Sequence, residues 1–235
     1  MSLKFKNGKF TILQVSDPQD LQYVRKTMMK MLDKAYDRVK PDLIVFTGDN
    51  VLGNHFRDAK TLTPLFVKTK EAEFKAMKVA IEKLLRPVED RKIPFSMIYG
   101  NHDDMNEITK KEQSDIYRSY PHFVGLDNDV EILKDETFNI PIYSEDGNEI
   151  KFNIWMMDSA WKNKEEDKCY NQVKPEAIEW YKKKSAELKA QNGGTPVPSL
   201  MFQHIPLIET FELTEECSKD AKGAIKAPDG TYIKL

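Results

Sequence analysis

Pro94–Asp103, PFSMIYGNHD, is the stretch on which the reading of the whole chain turns. Its first half is an apolar run that stops at Gly100, the signature of a buried strand, and Asn101, His102 and Asp103 then follow within one turn. The same pattern recurs on either side of it. Phe10–Ser16, FTILQVS, runs into Asp17-Pro18-Gln19, and Asp42–Thr47, DLIVFT, runs into Gly48-Asp49-Asn50. Farther on, Ser199–Gln203, SLMFQ, runs into His204. Between the first two strands, Val24, Met28, Met31, Leu32, Ala35, Tyr36 and Val39 recur at helical spacing before Pro41. Phe74, Met77, Ile81, Leu84, Leu85 and Val88 mark a second amphipathic helix ahead of the Pro94 strand. Strands alternating with helices predict an α/β chain with parallel crossovers.

The remainder is less regular. Glu136–Tyr143 and Ile150–Met157 flank Glu145-Asp146-Gly147-Asn148 and predict a β-hairpin. Pro175 opens a further helix with Ile178, Tyr181 and Leu188 on one face. Residues 50 to 70 carry no period and predict a surface loop, and residues 214 to 235 predict an irregular excursion. Nothing in the 235 residues looks like a linker, so a single domain over 1–235 is expected. With 36 basic and 38 acidic residues, a broad nucleic-acid footprint is not expected. Cys169 and Cys217 are too few for a disulfide framework or a cysteine zinc site. No apolar run reaches the roughly 20 residues of a membrane helix, and the N-terminus lacks the apolar core of a secretory signal, so no membrane partner and a cytoplasmic location are expected.

The four polar clusters carry the chemistry. Side chains just past the carboxyl ends of strands in an open α/β sheet converge on one crevice, so residues far apart in sequence can meet there. Oxygen and imidazole donors gathered in this way suit divalent cations. Taken singly, Asp17-Pro18 and Gly48-Asp49-Asn50 read as ordinary turns, and His204 as a hydrogen-bonded structural histidine. The recurrence of all four favours a site. His55 and His122 read as surface histidines, and Met28, Met29 and Met31 as helix packing. No P-loop, nucleophile elbow or His-Glu-x-x-His helix is present.

Ser16-Asp17, Thr47-Gly48-Asp49-Asn50, Gly100-Asn101-His102-Asp103 and His204-Ile205-Pro206-Leu207 together resemble the calcineurin-like metallophosphoesterases, over Phe10 to Leu207. Within them the chain is most similar to the branch of purple-acid-phosphatase-related bacterial phosphohydrolases. The resemblance implies a four-layer α/β/β/α sandwich with two mixed sheets. It implies hydrolysis of phosphomonoesters or phosphodiesters, of small molecules or phosphoproteins, by a hydroxide held between two divalent ions (manganese, iron, zinc or magnesium). By the same resemblance Asp17 would ligate the first ion, Asp49 would bridge both, and Asn101 and His204 would hold the second. His102 would assist the leaving group while Asp103 orients its ring.

Two departures accompany the resemblance. Gln19 stands where the family has histidine, and its carbonyl oxygen would be the weaker ligand. No Gly-His-x-His cluster follows His204, which predicts a C-terminally incomplete fold, at most one firmly held ion and little activity. The alternative reading is a non-catalytic binding scaffold with a degenerate site; a nuclease of the same superfamily is the third.

Overall fold

The computed structural model describes residues 2–53, 69–159, 173–227 and 230–234. Most of the loop predicted over residues 50 to 70, with His55, lies outside the described residues, as does Cys169. Two compact units are present, Met1–Ile205 and Pro206–Leu235.

In the larger unit the predicted crossovers form as β2 (Ile12–Val15), α1 (Lys26–Val39), β3 (Leu43–Thr47), α2 (Lys70–Asp90) and β4 (Phe95–Ile98), preceded by the short β1 (Leu3–Lys4). β3 lies between β2 and β4 and is parallel to both, with Val15 opposite Phe46 and Thr47 opposite Ile98. All five residues of β3 are buried, so both faces of this sheet are covered, which is why its sequence is apolar without alternation. Met77, Ile81, Leu85 and Val88 bring α2 into the same core. Thr69 caps α2 by accepting from the Ala72 N–H at 3.3 Å. On α1 the inward stripe is Leu32 and Tyr36 with Met28 and Met29 packed beside them, whereas Met31 is 62% exposed and Val39 39%. The predicted apolar face is thus narrower than its residue list. α1 ends at Lys40 in the left-handed conformation (φ 50°), directly before Pro41.

α3 (Lys110–Arg118) was not expected from its charged sequence, but it has a capping box. The Thr109 hydroxyl accepts from the Glu112 N–H at 3.2 Å, and the Glu112 carboxylate accepts from the Thr109 N–H at 2.8 Å.

A second sheet holds the predicted hairpin, β5 (Phe138–Tyr143) and β6 (Ile150–Met156), together with β1 and β7 (Ser199–Phe202), in the order β1-β5-β6-β7. Its pairings are parallel, antiparallel and parallel. Of the two sheets expected to be mixed, this one is, and the β2-β3-β4 sheet is parallel throughout. β6 shows how the layers stack. Ile154 and Met156 enter the core shared with β3 and α2, while Trp155, with Met157 just beyond the strand, points into a separate cluster with Ala177, Trp180 and Leu188 of α4 (Pro175–Gln191). Helix, sheet, sheet and helix therefore succeed one another as in the expected sandwich. On α4 the buried face runs through Ala177, Trp180 and Leu188, and Ile178 is 42% exposed. The face shifts because Trp180 packs edge-on against Trp155, with ring centroids 5.7 Å apart.

The smaller unit is not irregular as expected. It comprises a short 3-10 segment, Ile208–Leu213, and three antiparallel strands, β8 (Glu215–Glu216), β9 (Ile225–Lys226) and β10 (Tyr232–Lys234), with β10 central. Among the described residues no helix is long and apolar enough to cross a membrane.

Candidate metal centre

Asp17, Asp49, Asn101 and His204 each follow a strand end by two or three residues, after β2, β3, β4 and β7 respectively. Parallel pairing sets the first three ends side by side. The loops are then tied by backbone bonds, Asp17 N–H to the Gly48 carbonyl at 3.2 Å and Gln19 N–H to the Asp49 carbonyl at 2.9 Å. Asp17, Gln19 and Asp49 all take positive φ values, 53°, 23° and 50°. Left-handed backbone at side-chain-bearing residues is strained by about 1–3 kcal/mol each and clusters at functional sites.

One ligand atom from each of Asp17, Asp49 and His204 lies within 4.8 Å of the other two. His204 Nε2 is 3.4 Å from Asp49 Oδ1 and 3.2 Å from Asn101 Oδ1. Its Nδ1 lies 2.8 Å from the Thr47 carbonyl, to which it donates, so the ring is oriented with Nε2 toward the cluster. Glycines allow this closeness. A Cβ at Gly48, whose φ is +96°, would meet His204 Nδ1 at 2.5 Å. One at Gly100 would fall 2.8 Å from His204 Nε2, and closer than 3.0 Å to both the amide nitrogen and Oδ1 of Asp49. Thr47, Gly48 and Gly100 were not singled out as site residues from the sequence, although the glycine opening two of the clusters is the signal that would have marked them.

Gln19 is at the centre, but its amide Nε2 donates to Asp49 Oδ2 at 3.0 Å, so it holds the carboxylate by a hydrogen bond instead of presenting its carbonyl. The His102 N–H donates to Asp49 Oδ1 at 2.9 Å, and the His102 ring Nε2 stands 3.9 Å from Asp49 Oδ2. Asp103 departs from its expected role. Its buried carboxylate does not serve to orient the His102 ring; it accepts from Gly100 N–H (2.8 Å), Asn50 N–H (3.1 Å), Asn50 Nδ2 (3.2 Å) and Val51 N–H (3.0 Å). It clamps the β3 and β4 loops together. Burial raises this carboxyl to about 7, against the backbone N–H groups that favour its charged form. His122 is also not a surface histidine: its side chain is 18% exposed, and Nδ1 meets Glu89 Oε2 at 2.6 Å.

The electrostatics suit a cation. Burial acts to lower the His204 pKa, but Asp49, the Thr47 carbonyl and the charge of Asp17 outweigh it and raise the ring to about 9. Burial likewise acts to raise Asp49, and the contacts from His204 and His102 bring it below its usual value. A field that holds a proton on His204 at neutral pH would hold a metal ion in its place. Two carboxylates, an imidazole nitrogen and an amide oxygen form a donor set that fits a divalent ion.

The family model for calcineurin-like phosphoesterase matches residues 10–221. Among curated relatives, the "probable inactive purple acid phosphatase 29" of Arabidopsis thaliana is 26% identical, covering 94% of this chain and 58% of its own length. Phosphatase DCR2 of Saccharomyces cerevisiae is 25% identical over 89% of this chain and 33% of its own length. An uncharacterised protein of Schizosaccharomyces pombe is 25% identical over 80% and 30%. The chain thus spans between 30% and 58% of the length of these relatives. Among solved structures, a dimetal phosphatase from Danio rerio shares the fold, with a TM-score of 0.51 at 12% identity over 84% of this chain and 70% of that one.

Proposed function

The chain belongs to the calcineurin-like phosphoesterase family, and on that footing we propose that the cluster beyond β2, β3, β4 and β7 is a divalent-metal centre that hydrolyses a phosphate ester. The observation that carries the reading is the convergence of ligand atoms from Asp17, Asp49 and His204, which lie on three separate loops, to within 4.8 Å. Asp17, Asp49, His204 and the Asn101 carbonyl oxygen would hold the ion. When bound, it would supply Lewis acidity toward phosphoryl oxygens and lower the pKa of water.

The chain's own residues do the rest. Thr47 fixes the His204 ring through Nδ1, while Gln19 and the His102 N–H fix the two oxygens of Asp49. The His102 ring, 25% exposed, borders the cluster and is placed to give a proton to, or stabilise charge on, a departing oxygen. The cluster offers ligands for one ion, so a titration is expected to reach at least one ion per chain. The substrate class we propose is a phosphomonoester or phosphodiester, on a small molecule or a phosphoprotein.

A second reading, a binding scaffold that keeps the fold without turnover, is favoured by the word "inactive" in the name of a relative and by the donor orientation of Gln19. Manganese titration followed by thermal melting, with hydrolysis of p-nitrophenyl phosphate alongside, separates the two. Stabilisation and hydrolysis in the wild type, both lost in Asp49→Asn, are the expected result. Stabilisation without hydrolysis selects the scaffold, and neither effect sinks the metal centre altogether.

A further inference from the structure

We infer that Gln113, on α3, is a positioning residue for the metal centre. The inference rests on the metal-centre reading above and concerns what holds that centre in shape. Gln113 is 1% exposed and sits on the helix face that also buries Ile116 and Tyr117. An uncharged polar group in such a place is unfavourable unless its hydrogen bonds are made. Its amide Nε2 donates to the Asp103 carbonyl at 2.8 Å and to the Ile108 carbonyl at 3.0 Å, using both hydrogens. Two carbonyl partners require the nitrogen, and not the oxygen, at that position.

Those two carbonyls bracket the turn that follows β4. Asn106 braces the same turn, donating from Nδ2 to the Asp103 carbonyl at 2.8 Å and accepting from the Ile108 N–H at 2.7 Å. Asp103 in turn grips the backbone on both sides of the cluster, at Gly100 and at Asn50 and Val51. The circuit closes where the His102 N–H meets Asp49 Oδ1 at 2.9 Å. Gln113 therefore sets the position of Asp103, and Asp103 sets how far Asn101 and His102 stand from Asp49. α3 itself is held by its capping box and by the burial of Ile116 and Tyr117 in the main core, so the strut starts from a packed helix.

Gln113→Met keeps the volume and removes both donated bonds. Leu188→Ala, in the separate cluster around Trp155, is the control for a loss of stability that leaves the strut untouched. The readouts are the manganese dissociation constant by calorimetry, at a temperature where every variant is folded, and metal-free urea stability. A positioning role is expected to weaken manganese binding about tenfold in Gln113→Met, the effect of losing a partner behind the ligands, with Leu188→Ala at the wild-type value. If Gln113→Met does not fold, Gln113→Asn takes its place; it keeps the amide but shortens its reach, and a severalfold weakening is expected. Manganese affinity unchanged in the glutamine variant while its metal-free stability falls overturns the inference and leaves the metal centre standing. A wild type that binds no manganese overturns the metal centre and this inference with it.

Discussion

Gly100→Ala adds one methyl group where the ligand loops come closest. The new Cβ would sit 2.8 Å from His204 Nε2 and within 3.0 Å of Asp49 N and Oδ1. The carboxylate cannot simply swing aside, because Oδ1 is held by the His102 N–H at 2.9 Å and Oδ2 by Gln19 Nε2 at 3.0 Å. The amide nitrogen belongs to the backbone and has no rotamer to change. Relief to ordinary contact distance needs a shift of roughly 1 Å in one of the loops, in an interior that yields little. Overpacking of this kind costs about 1–3 kcal/mol, or roughly 2–10 °C in Tm for a chain of this size. The larger effect falls on function. On the proposed function, a displacement of that size is expected to weaken metal binding about 10–100-fold and to lower turnover about 100-fold. Gly193→Ala is the control: φ there is +64° but nothing lies within 4 Å, so it loses stability through backbone strain and leaves the centre alone. Calorimetric manganese titration of both variants is the assay. Wild-type affinity in Gly100→Ala would refute the close-packed geometry of Asp49 and His204.

Other outcomes follow from the same packing. Lys40→Gly, at the left-handed C-terminus of α1, is expected to stabilise the fold by about 0.5–1 kcal/mol in urea melts, and a loss would contradict the cap assignment. Lys110, whose side chain is 18% exposed, contacts Asp158, Glu136 and Asp104; Glu136 keeps its pair with Lys174, but Lys110→Met leaves Asp158 and Asp104 without their cation and is expected to cost about 3–5 kcal/mol. A change under 1 kcal/mol on the order-of-magnitude scale of surface pairs would mean the network is solvated. Alkaline pH probes the tyrosines. Burial holds Tyr36, Tyr99 and Tyr117 well above their ordinary range, and burial, with Glu82 and Glu89, pushes Tyr120 up to about 12. Above about pH 10 the unfolded chain has lost phenolic protons that the folded chain keeps, so stability falls as pH rises, by about 1.4 kcal/mol per pH unit for each fully buried ring. Urea midpoints that stay level between about pH 9 and 11 would refute that burial.

What the sequence made legible, and what it did not, divides along the range of the interactions. The clusters after β2, β3 and β4 could be read because an apolar strand followed by Asp-Pro, Gly-Asp or Gly-Asn-His-Asp is a local pattern, and parallel pairing then brings the ends together without further information. α3 was missed because its apolar residues are sparse, yet Thr109 and Glu112 spelled a capping box that a search for helix starts would have caught. The direction of Asp103 had no local signal; whether it faces a ring or three backbone N–H groups is decided by how the loop at Asn50 and Val51 approaches it. Gln113 was invisible for the same reason, since a glutamine on a charged helix reads as solvated until the turn at Asp103 is laid over it. On α4, tertiary packing moved the buried face from Ile178 to Trp180, because the partner across the interface is Trp155. The short β1 and the smaller unit's strands are two or three residues long, below the length at which alternation carries information.

The left-handed backbone at Asp17 and Asp49 sets the two carboxylates against the comfort of the chain. Glycine at Asp17 would relax the main chain by about 1–2 kcal/mol while discarding a proposed ligand, whereas glycine at Asp49 would also strip the acceptor from Gln19 Nε2 and the His102 N–H and cost more than it relieves. At Asp17, heat tolerance and the proposed cation capture therefore pull one codon in opposite directions, while at Asp49 they pull together. A laboratory lineage selected for thermal hardiness alone would be expected to give up the Asp17 carboxylate first and to keep Asp49.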